Sequence, residues 1–207
     1  GLGMDVDVFD EKGFSIKNTK GELVCKKPFP SMPVKFWNDN EDKKYKSSYF
    51  EKYKNVWHHG DFAKVTDNGG FIIYGRSDTT LNPGGVRLGT AEIYSVVEKF
   101  EEIQESIVIG QSWNNDIRII LFIILNQGYK LNDKIKDKIK KAIRFNTSPR
   151  HVPSKIISIL DIPKTKNGKL VELAVKQTVE CEPTKNLESL ANPDSLKQFK
   201  NIKELNE

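Results

Sequence analysis

The sequence predicts an α+β protein in which a β-rich first third is followed by a small α+β unit with a three-stranded sheet and packed helices. Three observations lead there. Short apolar runs broken by Gly, Asp and Asn fill residues 6–76. The seven-residue apolar run from Ile119 to Leu125 has the length of a buried strand. Leu131, Ile135, Ile139, Ala142 and Ile143 recur at helical spacing beneath a lysine-rich face. At 207 residues, with 37% hydrophobic, 29% charged and 10% aromatic residues, the chain can bury a real core and has the composition of a folded globular protein. Its longest apolar run is far below the roughly 20 residues that a membrane-spanning helix needs.

Taken in order, Val6 to Phe9 and Phe14 to Ile16 flank the turn Asp10-Glu11-Lys12-Gly13, and Gly21 to Lys26 is a third strand, the chemistry of a meander or barrel. Pro28, Pro30 and Pro33 then interrupt regular structure, and Lys43 to Tyr53 reads as a short aromatic-bearing helix. His59 to Val65 and Phe71 to Arg76 form a hairpin whose Asn68-Gly69 supplies positive φ at low cost. Ser77 to Leu88 is a loop with Gly and Pro. A helix follows with Ile93, Val96, Val97 and Phe100 on one face, Thr90 as its N-cap and Glu92 near its positive end. Strands at Ser106 to Gly110 and Ile117 to Leu125, the lysine-rich helix, a strand at Lys155 to Leu160, a turn-rich loop at Ile162 to Lys169 and a helix at Val171 to Val179 complete the second unit. The last 25 residues are polar, with Pro183 and Pro193, and read as a tail that is mobile or laid on a neighbouring surface.

The N-terminus lacks the basic and apolar regions of a secretory signal, and three residues precede the first Met, as if the chain were cut from a longer one. Cys25 and Cys181 form no CxxC pair and read as inert thiols in a reducing, cytoplasmic setting. His58, His59 and His151 lack metal-ligand spacing, so no metal site is expected. The net charge is +5; between Tyr129 and Lys155 nine Lys/Arg face only Asp133 and Asp137. Nucleic acid, a phosphorylated cofactor and a solvated surface all fit that patch.

Three segments stand out: His58-His59-Gly60-Asp61, Gly75-Arg76-Ser77-Asp78, and Pro163-Lys164-Thr165-Lys166-Asn167-Gly168-Lys169. Singly each is commonplace, since an Asp at a strand start is mostly a turn residue and a Lys after Gly in a loop is mostly solvated. Their order, with the Gly84 to Ile93 segment between the second and third, resembles the adenylate-forming superfamily of acyl-CoA synthetases, luciferases and peptide-synthetase adenylation domains. Within it, residues 75–94, 148–157, 161–176 and 190–201 are most similar to the acetoacetyl-CoA synthetases, the tail included.

That resemblance implies a domain plan and a set of roles. Residues 1–77 would be the C-terminal part of a large adenylating domain, the remnant of its last β-barrel subdomain. Residues 78–182 would be a mobile lid after a hinge at Asp78, and residues 183–207 a polar tail. Asp61 would accept hydrogen bonds from the ribose hydroxyls of ATP. Arg76 would hold the ribose and phosphate side, and Arg87 a phosphate during one half-reaction. Lys169 would be catalytic, stabilising charge that builds on the phosphoryl oxygens and on departing pyrophosphate. Gly85 would let the pantetheine arm of CoA pass, and Arg144 would lie near the CoA nucleotide. The bland alternatives are a turn-permitting glycine and, for the other helix lysines, a solvated face.

The substrates so implied are acetoacetate, ATP with Mg²⁺, and CoA, with a lysine acetyltransferase and deacetylase acting on Lys169. The family's Gly/Ser/Thr-rich phosphate loop and its acyl pocket are not in these residues, so the chain alone is expected to be inactive. It is also expected to expose apolar surface in residues 1–75. Pro83-Gly84-Gly85-Val86 departs from the related acetyl-CoA synthetases, which bears on the CoA contacts. The other readings are a ligase for another short-chain acid and a basic nucleic-acid-binding module. The second rests only on the Lys134 to Arg144 helix and has no helix-turn-helix, RNP-type aromatic pair or zinc finger beside it.

Overall fold

The computed structural model describes residues 3–77, 81–184 and 186–207. The chain divides into two compact units, Gly1–Asp78 and Thr79–Glu207.

The first unit is an open, four-stranded antiparallel sheet in the order β1 (Val6–Phe9), β2 (Gly21–Cys25), β3 (Trp57–Val65), β4 (Phe71–Arg76). No closed barrel forms among the described residues. Inward-facing Val8, Ala63 and Val65 make one small cluster, and Phe9, Val24 and Tyr53 another. The strand expected at Phe14 to Ile16 is reduced to a single bridge between Phe9 and Ser15. The Asp10 carboxylate accepts the Lys12 and Phe14 amides, each at 2.9 Å, and so tightens the turn that strand would have needed.

Helix α1 (Lys43–Tyr49) is shorter than expected. The Asp39 carboxylate takes the Lys44 and Tyr45 amides at 2.8 Å, satisfying donors of its first turn. Tyr49 stacks on Trp57 at 3.7 Å between centroids. Tyr53, beyond the helix end, is drawn into the sheet core, edge-on to Phe9 with its hydroxyl donating to the Asp10 carbonyl at 2.8 Å. Phe14, Val34, Trp37, Phe71, Ile72 and Ile73 remain exposed.

The second unit is a three-stranded sheet, β5 (Ile103–Trp113), β6 (Asp116–Leu125), β7 (Lys155–Ser158), with β6 central. Strands β5 and β6 form a hairpin whose two turn residues, Asn114 and Asn115, both have positive φ; β7 runs parallel to β6. The apolar run is thus a strand buried on both faces. Ile119, Leu121 and Ile123 point toward Ile93 and Val97 of α2 (Thr90–Val97) and Ile135, Ile139 and Ile143 of α3 (Asp133–Asn146). Ile120 and Phe122 point the other way, toward Ala174 and Val175 of α4 (Glu172–Val179). Asn132 caps α3, its side chain accepting the Ile135 amide at 2.9 Å. The N-cap of α2 is Gly89 rather than Thr90. Thr90 is already helical and buried, and Glu92 reaches back to the Gly89 amide.

Residues 186–207 complete the second face of this sheet. Leu190, Leu196, Phe199 and Leu205 are buried there, with Phe199 edge-on to Phe122 at 4.9 Å. Arg118 on β6 donates to the Leu205 carbonyl and, at 2.9 Å, to that of Glu207. The polar segment is therefore core, carried by 3-10 turns that have no simple apolar period.

Candidate functional site

In the first unit, Asp61 and Arg76 are cross-strand partners on β3 and β4. Arg76 Nη1 lies 3.9 Å from Asp61 Oδ2 and donates to the His59 carbonyl at 2.7 Å. His59 Nδ1 stands 2.8 Å from Asp61 Oδ2, close enough for charge attraction but poorly aligned for a hydrogen bond. Burial pushes the Asp61 carboxyl up, yet His59 and the Arg76 guanidinium outweigh it and hold the group below its usual value. Asp61 is thus ionised at neutral pH and presents two acceptor oxygens. Gly60 has a φ of +78, and a Cβ there would meet Arg76 Nη2 at 3.1 Å, so the Gly between His59 and Asp61 sets both backbone and guanidinium.

Behind this pair lies a residue that motif reading missed. Glu22 on β2 is buried and holds Lys52 and His58 Nε2, the latter at 3.0 Å. Burial raises its carboxyl, but hydrogen bonds from His58, Lys52 and Ser77 pull it down to about 2. Glu22 therefore ties the first motif segment, through His58, to the second, through Ser77. The available signal was a lone acid in the otherwise apolar strand Gly21–Cys25. Asp78, the expected hinge, lies outside the described residues.

In the second unit, Gly85 and Arg87 occupy the loop before α2, closed by the antiparallel bridge between Leu81 and Leu88. The Gly84 amide donates to the Asp116 carboxylate at 2.9 Å and 3.1 Å, pinning this loop to the start of β6. Gly85 has a φ of +76 and nothing within 4 Å of where a Cβ would stand. It borders a groove shared with Asn82, Ser112, Asn114 and Asp116. Arg87 is exposed. Arg144 is exposed in the last turn of α3, where a cation complements the helix dipole.

Lys169 is the last residue of a tight turn. The Thr165 amide donates to the Lys169 carbonyl at 2.9 Å, the Gly168 amide to the Thr165 carbonyl at 2.8 Å, and the Lys169 amide to Thr165 Oγ1 at 3.1 Å. Lys169 itself is exposed, and its ammonium has no partner among the described residues. The structure thus joins Asp61 with Arg76 in one unit and Gly85 with Arg87 in the other, while Lys169 and Arg144 stand on separate elements of the second. Among the described residues no group of three His, Cys, Asp or Glu could hold a metal ion, and no helix is long and apolar enough to cross a membrane.

Residues 92–169 match the family model of the AMP-binding enzyme C-terminal domain. The chain is 54% identical over 205 residues to an acetoacetyl-coenzyme A synthetase of Rhizobium meliloti, covering 99% of this chain and 32% of that protein. To the acetoacetyl-CoA synthetase of Rattus norvegicus it is 44% identical, covering 99% of this chain and 31% of the relative. A solved acetoacetyl-CoA synthetase from Streptomyces lividans superposes with a TM-score of 0.91 at 41% identity, covering all of this chain and 32% of that one. The chain thus spans about a third of the length of the relatives it matches. The chain is therefore similar throughout to about a third of an acetoacetyl-CoA synthetase, with residues 92–169 matching the AMP-binding enzyme C-terminal domain.

Proposed function

We propose that this chain supplies the hinge, the catalytic lysine and the CoA-facing surface of an AMP-forming acid–thiol ligase that makes acetoacetyl-CoA. In the first half-reaction an acetoacetate carboxylate oxygen attacks the α-phosphorus of ATP, the bond to the β-phosphate breaks, and pyrophosphate leaves. In the second, the CoA sulfur attacks the acyl carbon and AMP departs. Lys169 acts in the first: its ammonium meets charge that is larger in the transition state than in the ground state. Asp61 accepts the ribose hydroxyls, with Arg76 beside it. Arg87 holds a phosphate, Gly85 admits the pantetheine arm and Arg144 the CoA nucleotide. Asp78 is the pivot between the two lid orientations.

Mg²⁺ would arrive on the ATP phosphates. Acetylation of Lys169 by a lysine acetyltransferase would remove the charge the first step needs. A cytoplasmic location accords with the free Cys25 and Cys181.

What carries the proposal is Lys169, an exposed ammonium with no partner among the described residues, at the end of a braced turn, in a sequence similar throughout to acetoacetyl-CoA synthetases. The test is Lys169→Ala in the full-length protein, assayed with acetoacetate. Pyrophosphate exchange should fall by about 10²–10³, while thiolation of supplied acetoacetyl-adenylate stays within a few-fold. Equal loss in both half-reactions would reject this role for Lys169.

A further inference from the structure

The turn that carries Lys169 does not stand on its own strands alone. Lys164 bridges Leu170 within the turn, but the outer edge of the same segment pairs with the chain's last stretch. Thr165 bridges Leu190, the Ala191 amide donates to the Lys164 carbonyl at 2.9 Å, and the Lys166 amide donates to the Ser189 carbonyl at 3.1 Å. Asn192 is the side chain that locks this pairing. Its Oδ1 accepts the Lys164 amide at 2.9 Å, and its Nδ2 donates to Asp161 Oδ2 at 2.7 Å and to the Ile162 carbonyl at 2.9 Å. One amide therefore satisfies three groups on the strand entering the turn. Leu190 and Leu196, buried on either side of Asn192 in sequence, anchor that stretch in the core. On the inner side, Lys164 Nζ pairs with Glu105 Oε1 at 2.6 Å, tying the same strand to β5.

We infer that residues 189–192 are a positioning element for Lys169, with Asn192 its positioning residue; this rests on the role proposed for Lys169. Without that outer strand, residues 164–170 would be a hairpin held by its own turn and by Lys164. A misplacement of about 1 Å in a catalytic group can cost about 10² in rate. Asn192 acts through the backbone of 161–164 and need not touch substrate. Lys169 serves only adenylation in this scheme, so loosening its support should cost adenylation and spare thiolation, which general unfolding would not do.

The experiment uses the full-length protein with the Lys169→Ala variant as reference. Asn192→Ala should lower kcat for acetoacetate-dependent pyrophosphate exchange about 10–100-fold at little change in the KM for ATP. Thiolation of supplied acyl-adenylate should stay within about threefold, and the Lys164 amide should lose hydrogen-exchange protection. Asn192→Asp should be as damaging, because it sets a second carboxylate against Asp161. Combining it with Asp161→Asn restores a donor–acceptor pair and should recover at least part of the loss. If Lys169→Ala abolishes exchange while Asn192→Ala leaves it within twofold, the positioning role is overturned and the role of Lys169 stands. Parallel loss of both half-reactions in Asn192→Ala, or no recovery in the swapped pair, would also overturn it. If Lys169→Ala leaves exchange intact, it is the reading of Lys169 that fails.

Discussion

Replacing Glu22 by Gln should cost the first unit about 3 kcal/mol of stability near neutral pH. The Glu22 carboxyl is held at about 2 against an ordinary 4.5, although burial alone would push it up, because His58, Lys52 and Ser77 donate to it. Its side chain is only 5% exposed, so water does little to screen these contacts. A folded-state value below the unfolded one means that the ionised form favours folding. The stabilisation is complete above the unfolded value and is lost as pH falls through the folded one, between about pH 5 and pH 2. Glutamine keeps the shape and one acceptor but removes the charge. It should leave Lys52 and His58 facing a neutral amide and flatten this acid-dependent part of the stability curve. Urea unfolding followed by tryptophan fluorescence in a Trp113→Phe background, which leaves Trp37 and the Trp57 buried against Tyr49 as reporters, reads the unit. A Glu22→Gln protein within 0.5 kcal/mol of wild type around neutrality (about the scatter of neutral surface changes), or one with the same acid slope as wild type, would refute the reasoning.

Other changes should separate stability from chemistry. Phe199→Ala removes a ring with no exposure that stands edge-on to Phe122; it should cost about 3–5 kcal/mol in the unfolding of the second unit, measured by denaturant titration. Asn132→Ala removes the cap of α3 and should cost about 1 kcal/mol, with circular dichroism showing a smaller loss on Asn132→Gly. Gly85→Leu in the full-length protein places bulk where the structure leaves space and forces a φ of +76 on a branched residue. It should impair thiolation more than pyrophosphate exchange, and unchanged thiolation would remove Gly85 from the CoA path.

Where the sequence was legible, a simple period was present. Ile135, Ile139 and Ile143 repeat every four residues and fall on the buried face of α3, and the run from Ile119 to Leu125 lies within a strand covered on both faces. Where it was opaque, the burial had no period or the partner was distant. Leu196, Phe199 and Leu205 sit in 3-10 turns and Leu190 just after one, at uneven spacing, so their polar neighbours dominate the pattern and the segment reads as a tail. Glu22 meets His58 from 36 residues away, and Asn192 meets Asp161 from 31; neither pairing leaves a trace in local composition. The motif segments marked Asp61, Arg76 and Lys169 because they are contiguous. The residues that hold them in place are contributed by other elements.

Strand β4 ends the sheet of the first unit, and its Phe71, Ile72 and Ile73 are each more than two-fifths exposed. A sheet margin that is both apolar and open to further backbone pairing is a template for another strand. Handled apart from any covering partner, the chain should therefore self-associate through this margin, more readily at high salt, where its net charge of +5 no longer keeps copies apart. A lysine in place of Ile72 would blunt the margin and is the first change to make when the chain is prepared for solution work.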